Sequence, residues 1–229
     1  AVHSGAGLVS LATRSCHLSA SLSFCPEVMV KPVDSGQALE KYLNSPTVIC
    51  LGPGLGQDYW SEQVIYKSLE AAKKNNLPIL IDADGLNLLP KFQKKLPLPK
   101  KIILTPHVGE AAILLNTSKE NIKKNRIKSA LKISKKYSAV VVIKGKHSVI
   151  CSKDKYFICE KGNAGMATGG MGDVLSGIIS SFVAQKMTLL NAACLGVDLH
   201  AEAADEYADA LSENSLTPTD VLEIVKELV

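Results

Sequence analysis

The chain of 229 residues is 46% hydrophobic and 21% charged, an ordinary balance for a folded domain with a substantial core, which excludes a disordered or low-complexity protein. Its net charge of +4 comes largely from two lysine-rich stretches, Lys91–Lys101 and Lys119–Lys136. With Phe92 as their one aromatic residue, these read as solvated faces, so no nucleic-acid surface is expected. No apolar run reaches the roughly 18 residues of a membrane span, and the N-terminus lacks the features of a signal peptide. The 6 cysteines include no C-x-x-C pair, which argues for the reducing cytoplasm and against a zinc site or disulfide scaffold.

In chain order, a small apolar run over 5–12 and another over 27–30 read as strand-like pieces, followed by a short helix over 35–44. Residues 47–51 form a β-rich run without polar alternation, as a strand buried on both faces requires. It ends in Gly52-Pro-Gly-Leu-Gly56, after which 58–76 reads as an amphipathic helix. A second buried strand, 79–81, closes on Asp82-Ala-Asp84. The pattern then repeats with a strand over 102–104, the turn Thr105-Pro-His-Val-Gly-Glu110, a short helix through Leu115 and a lysine-rich helical segment over 116–137. Residues 139–143 give the strongest strand signal and lead into Lys144-Gly-Lys-His-Ser148. A hairpin over 148–151 and 155–159 precedes a long glycine segment, and the remainder is helical: 173–185, 188–210 and 218–228. The last helix opens on a Thr217 cap with Pro218 at its first position and Asp220 at its third. Alternation of strands and helices predicts an α/β fold with a mainly parallel sheet flanked by helices. The motif-bearing turns all fall at the carboxyl ends of strands, where such sheets bind ligands. No linker composition divides the chain, so a single domain over 1–229 is expected.

The glycine segment Gly162–Gly177 is the centre of the functional argument. Gly162, Gly165, Gly169, Gly170 and Gly172 precede a helix whose apolar spacing begins near Asp173. A helix start offers free N–H groups and a dipole that favours negative charge, and glycine admits a phosphate close to the backbone. The segment is neither a Walker A loop nor a dinucleotide fingerprint. Asp173 is either a helix cap, stabilising by about 1 kcal/mol, or a base that takes a proton from a hydroxyl attacking a phosphoryl group.

Other candidates carry paired readings. The Gly52–Gly56 loop is a tight turn or a place where ligand approaches backbone. Asp82 and Asp84 either hold a Mg²⁺–nucleotide complex or cap the next helix, with capping favoured for Asp84. His107 is a structural loop histidine or a ligand contact, and Glu110 a first-turn helix acid or an orderer of metal-bound water. Lys144 and Lys146 are surface lysines or reach nucleotide phosphates. His200 and Glu202 read as structural.

The ordered set Gly5-Ala-Gly-Leu-Val9, Pro26-Glu-Val-Met29, Gly52-Pro-Gly-Leu-Gly56, Asp82-Ala-Asp-Gly-Leu86, Thr105-Pro-His-Val-Gly-Glu110, Val142-Ile-Lys-Gly145, Gly162-Asn-Ala-Gly165 with Gly170-Met-Gly-Asp173, and Thr217-Pro-Thr-Asp220 resembles the ribokinase-like superfamily. Within it, the set looks like the ADP/ATP-dependent NAD(P)H-hydrate dehydratases. Val108 stands where that family usually has proline, and Met171 where threonine is frequent. The resemblance implies a ribokinase-like three-layer fold and a further N-terminal segment, and many bacterial members carry an epimerase domain upstream. It implies repair of NADH or NADPH hydrated at C6, by phosphorylation of the hydroxyl from ADP or ATP with Mg²⁺ and loss of phosphate. Asp173 would be the base. Gly54, Gly56, His107 and Asp173 would face the hydrate, and Lys144, Gly145, Lys146, His147, Ser148, Gly170 and Gly172 would hold the nucleotide. Homo-oligomers, often tetramers, are common in the family. Two rival expectations are a small-molecule alcohol kinase of the same superfamily and a truncated nucleotide-binding module without turnover.

Overall fold

Two short parallel strands, Ser10–Thr13 (β1) and Met29–Pro32 (β2), open the fold. The helix Leu18–Phe24 (α1) joins them in the computed structural model, which describes residues 1–229. α1 has no counterpart in the expected elements, because its Leu-Ser-Ala-Ser-Leu-Ser-Phe run buries no residue and shows no apolar face. After Gly36–Glu40 (α2), Ile49–Leu51 (β3) begins a second sheet. It continues through Tyr59–Lys74 (α3), Ile79–Ile81 (β4), Ala83–Gln93 (α4), Ile102–Leu104 (β5) and Val108–Leu115 (α5). The lysine-rich segment divides at Asn125 into Lys119–Lys124 (α6) and Arg126–Tyr137 (α7), and Val140–Ile143 (β6) follows. Val149–Ser152 (β7) and Lys155–Ile158 (β8) form the hairpin. Met171–Ala184 (α8), Leu189–Ala210 (α9) and Pro218–Leu228 (α10) complete the chain.

The second sheet has strand order β3-β4-β5-β6-β7-β8. Its first four strands pair in parallel and β7 and β8 antiparallel. Each parallel strand is added on the same side of its predecessor. Crossovers of one hand then put α3, α4, α5 and α7 on a common face. Ile79, Ile81, Ile102, Leu104, Val141 and Ile143 point into that layer, where they meet Ile65, Leu69, Leu89 and Ile133. Leu80, Ile103, Val140 and Val142 point to the other face, which is covered by Ile178, Ile179, Val197 and Val221 of α8, α9 and α10. Burial on both faces explains why these strands are uninterruptedly apolar. Two strands depart from this: β3, expected to be buried on both faces, leaves Cys50 exposed, and all four residues of β8 are exposed.

Candidate active site

The turns after β3, β4, β5 and β6 emerge at one edge of the sheet, and α8 begins beside them. This helix starts at Met171, two residues before the expected position, with Gly170 as its N-cap. Glycine has no side chain to cap with, and no other side chain replaces it. The backbone N–H groups of Gly172 and Asp173 find no acceptor within the chain, which leaves them free to donate to an anion. The preceding loop is held from α9: Asp205 accepts from the Gly162 N–H at 2.7 Å and from Asn163 Nδ2 at 2.9 Å. Asp173 is the third residue of α8, and its carboxylate makes no capping bond. Asp173 is exposed, yet partial desolvation pushes its pKa up. The nearby Asp82 charge adds to that rise and Lys144 opposes it.

Lys144, at the end of β6, is the cation at the centre of the site. Its Nζ lies 2.5 Å from Asp82 Oδ1 and 4.0 Å from Glu110 Oε2. A Cβ built on Gly172 would come within 3.1 Å of the same Nζ, so the ammonium rests on the first turn of α8. Asp82 is wholly buried, and its second oxygen accepts from Ser176 Oγ at 2.7 Å. Glu110 is also buried. Burial pushes its carboxyl up, and Lys144 and the His107 N–H work against that rise.

His107 caps α5. Its Nδ1 accepts from the N–H groups of Gly109 and Glu110 at 2.9 and 3.1 Å, while the Glu110 carboxylate accepts from the His107 N–H at 2.7 Å. Nε2 lies 3.2 Å from Glu110 Oε1. Nδ1 is therefore occupied, while Nε2 makes no hydrogen bond and the ring is exposed to a ligand.

The Gly52–Gly56 loop is stapled by Asp84, whose carboxylate accepts from the Gly56 N–H at 3.0 Å and from Gln57 Nε2 at 2.9 Å. Asp84 is thus not the expected cap. The N-cap of α4 is Asp82, and it also makes no capping bond. Gly54 leaves open space where a side chain would stand. On the far side of Lys144, the turn Gly145–Ser148 is gripped by Arg126, whose guanidinium donates to the carbonyls of Ile143 at 3.2 Å, His147 at 2.9 Å and Lys146. Lys146 and His147 are exposed, and Ser148 Oγ donates back to the Gly145 carbonyl at 3.1 Å. His200 is buried, with its pKa pushed down to about 4 by desolvation. Glu202 pairs with Lys161.

Lys144, Gly172 and Asp173 thus converge with Asp82, Glu110 and Ser176. Gly54, Gly56 and His107 sit on neighbouring turns of the same sheet edge, and Lys146, His147 and Ser148 lie on the adjoining turn. Arg126, Ser176 and Asp205 were not singled out from the sequence, since their bonds span 17 to 94 positions that no local pattern reports. Two grooves lie elsewhere and include none of this cluster. One, of about 530 Å³, is lined by Tyr59, Tyr66 and Phe92; the other, of about 660 Å³, by Lys100, Ser138 and Lys153. Free helix N–H groups and an ammonium gathered beside an uncapped carboxylate can bind a phosphoryl group and take a proton from the group that attacks it.

The chain is 40% identical over 226 residues to the bifunctional NAD(P)H-hydrate repair enzyme Nnr of Coxiella burnetii, covering 98% of this chain and 45% of that protein. It is 38% identical over 230 residues to the Nnr of Escherichia coli, covering 100% of this chain and 43% of that protein. The chain therefore spans less than half the length of these curated relatives. Among solved structures, an ADP/ATP-dependent NAD(P)H-hydrate dehydratase from Bacillus subtilis, co-crystallized with ATP/Mg²⁺, superposes with a TM-score of 0.84 at 25% identity. That match covers 100% of this chain and 80% of that one. The fold is thus ribokinase-like α/β. With a family model described as NAD(P)H-hydrate dehydratase matching residues 1–227, the chain belongs to the NAD(P)H-hydrate dehydratase family.

Proposed function

We propose that the chain is a lyase that returns C6-hydrated NADH or NADPH to NAD(P)H at the expense of ADP or ATP, in a single domain over residues 1–229. The carrying observation is the uncapped Asp173 carboxylate beside Lys144 and the unpaired N–H groups of Gly172 and Asp173. Asp173 accepts the proton of the C6 hydroxyl as its oxygen attacks the terminal phosphoryl group, and the bridging oxygen leaves with the shortened nucleotide. The C6–O bond then breaks as phosphate departs, and loss of a C5 proton re-forms the ring double bond. Lys144 and the first turn of α8 stabilise charge on the transferring group. Residues 144–148 with Gly170 and Gly172 hold the nucleotide, while Gly54, Gly56, His107 and Asp173 face the hydrate.

No three His, Cys, Asp or Glu side chains converge as a metal cage. Mg²⁺ fits best as an ion brought in on the phosphates and met by Glu110, which is the way this ion commonly binds. It would supply screening of phosphate charge. All six cysteines are free thiols, which supports a place in the reducing cytoplasm, and no helix is long and apolar enough to cross a membrane. The exposed β8 edge, with Tyr156, Phe157 and Ile158 uncovered, supports a homo-oligomer in which a second copy covers that strand. Sedimentation as a monomer at micromolar concentration would contradict this. An upstream epimerase domain would match the bifunctional relatives.

Phosphorus NMR tests the reaction type. Free orthophosphate should appear in step with the shortened nucleotide. A persistent phosphate monoester would identify an alcohol kinase instead. The pH profile follows from Asp173. The base must be ionised, and its pKa is raised, so kcat/KM should fall with decreasing pH above the ordinary carboxylate range. An acid limb at the ordinary value of 3.8 or below would contradict the environment described.

A further inference from the structure

We propose that Asp82 is a positioning residue that pins the Lys144 ammonium over the first turn of α8, so that cation and helix N–H groups converge on one phosphoryl group. The inference rests on the assignment of Asp173 as base. Asp82 occupies the N-cap of α4 with extended backbone, the position from which aspartate ordinarily accepts a helix N–H, yet its side chain makes no such bond. It forgoes that stabilisation and turns inward, where both oxygens are engaged by Lys144 and Ser176.

The backbone enforces this turn. Ala83, the next residue, is held at φ 46°, a left-handed conformation disfavoured for a side chain-bearing residue and retained where the surroundings demand it. On the other side, the Asp82 carbonyl lies against Gly52, where a Cβ would approach it to 1.8 Å. Asp82 is completely buried, so its only cationic partner, Lys144, is fixed in direction as well as in charge. Three elements are tied at one point: the end of β4 through Asp82, the end of β6 through Lys144 and α8 through Ser176. A plain structural ion pair would not need Gly172 beneath the ammonium, where a Cβ would stand 3.1 Å from Nζ and 3.6 Å from Asp82 Oδ2.

The charged and titratable groups gathered here are Asp82 at the end of β4, Lys144 at the end of β6, Glu110 and His107 from α5, and the buried His200 from α9. Asp82 raises the proton affinity of Asp173 and Lys144 lowers it. Removing the Asp82 charge should therefore make Asp173 more acidic as well as release the ammonium.

The test uses Asp82→Asn and the milder Ser176→Ala in the full chain. Asp82→Asn should lower kcat roughly 10–100-fold, as a misdirected catalytic cation does, while the nucleotide dissociation constant measured by calorimetry stays equal or falls. Ser176→Ala should show the same split to a smaller degree. In carbon-13 carboxyl NMR, which needs no turnover, Asp173 should titrate at lower pH in Asp82→Asn than in the parent chain. Parallel losses of kcat and nucleotide affinity, or an unmoved Asp173 titration, would overturn the proposal. A parent chain without turnover on any hydrate would remove the dehydratase reading alone, because the titration still decides the role of Asp82.

Discussion

Asp173→Asn should keep nucleotide binding and lose turnover by roughly 10²–10⁴-fold, the usual contribution of a positioned general base. Its effect on stability separates this role from that of a cap. A capping aspartate contributes about 1 kcal/mol, which asparagine largely retains and alanine forfeits. The Asp173 carboxylate makes no capping bond, and partial desolvation together with the Asp82 charge holds its pKa above the ordinary value. A raised carboxyl pKa means that the folded state binds the proton more tightly than the unfolded chain. Stability then falls as pH rises from the ordinary value through the raised one, and the ionised group is a liability at neutral pH. Asp173→Asn and Asp173→Ala should both leave the thermal midpoint at pH 7 unchanged or raise it. A clear drop for alanine alone, with turnover kept in asparagine, would return Asp173 to a capping role.

Gly52→Ala should be the most disruptive single-methyl change in the chain. At φ 122° the backbone disfavours any side chain, and the added carbon would stand 1.8 Å from the Asp82 carbonyl oxygen. That oxygen also accepts the Gly85 N–H at 3.0 Å, so it cannot retreat without disturbing the start of α4. Strain and displaced backbone together put the cost above about 3 kcal/mol in denaturant unfolding. Gly54→Ala is the matched control. It too has positive φ, but nothing lies within 4 Å of the new carbon, so only the left-handed penalty of about 1–2 kcal/mol remains. Equal losses for the two variants would mean that the Gly52 turn does not press on Asp82 as described.

The sheet was readable from sequence because its strands are buried on both sides. Ile79–Ile81 and Ile102–Leu104 occur at their expected positions, since an uninterrupted apolar triplet between turns leaves little choice of boundary. The last helix was equally plain. Thr217 and Asp220 form the reciprocal cap that their spacing announces. Where burial is absent, pattern is absent, and α1 escaped notice for that reason. Asn125 divides a lysine-rich stretch whose composition suits helix on either side, so the break was not visible.

The site was readable in its backbone and opaque in its side-chain partnerships. The glycine segment and a helix start close behind it followed from spacing, whereas the absence of a cap at that start did not. That Asp82 serves Lys144, that Asp84 holds the Gly56 N–H and that Arg126 grips the next turn did not, because each bond joins turns far apart in the chain. An aspartate after a strand looks the same whether it caps the following helix or reaches across the sheet edge. Only the fold decides which.

The most direct test of the central claim is absorbance at 340 nm with NADH hydrate, Mg²⁺ and ADP or ATP. A nucleotide-dependent rise is expected in the parent chain, and Asp173→Asn should abolish it. A rise without nucleotide, or a rise that survives in Asp173→Asn, would contradict it.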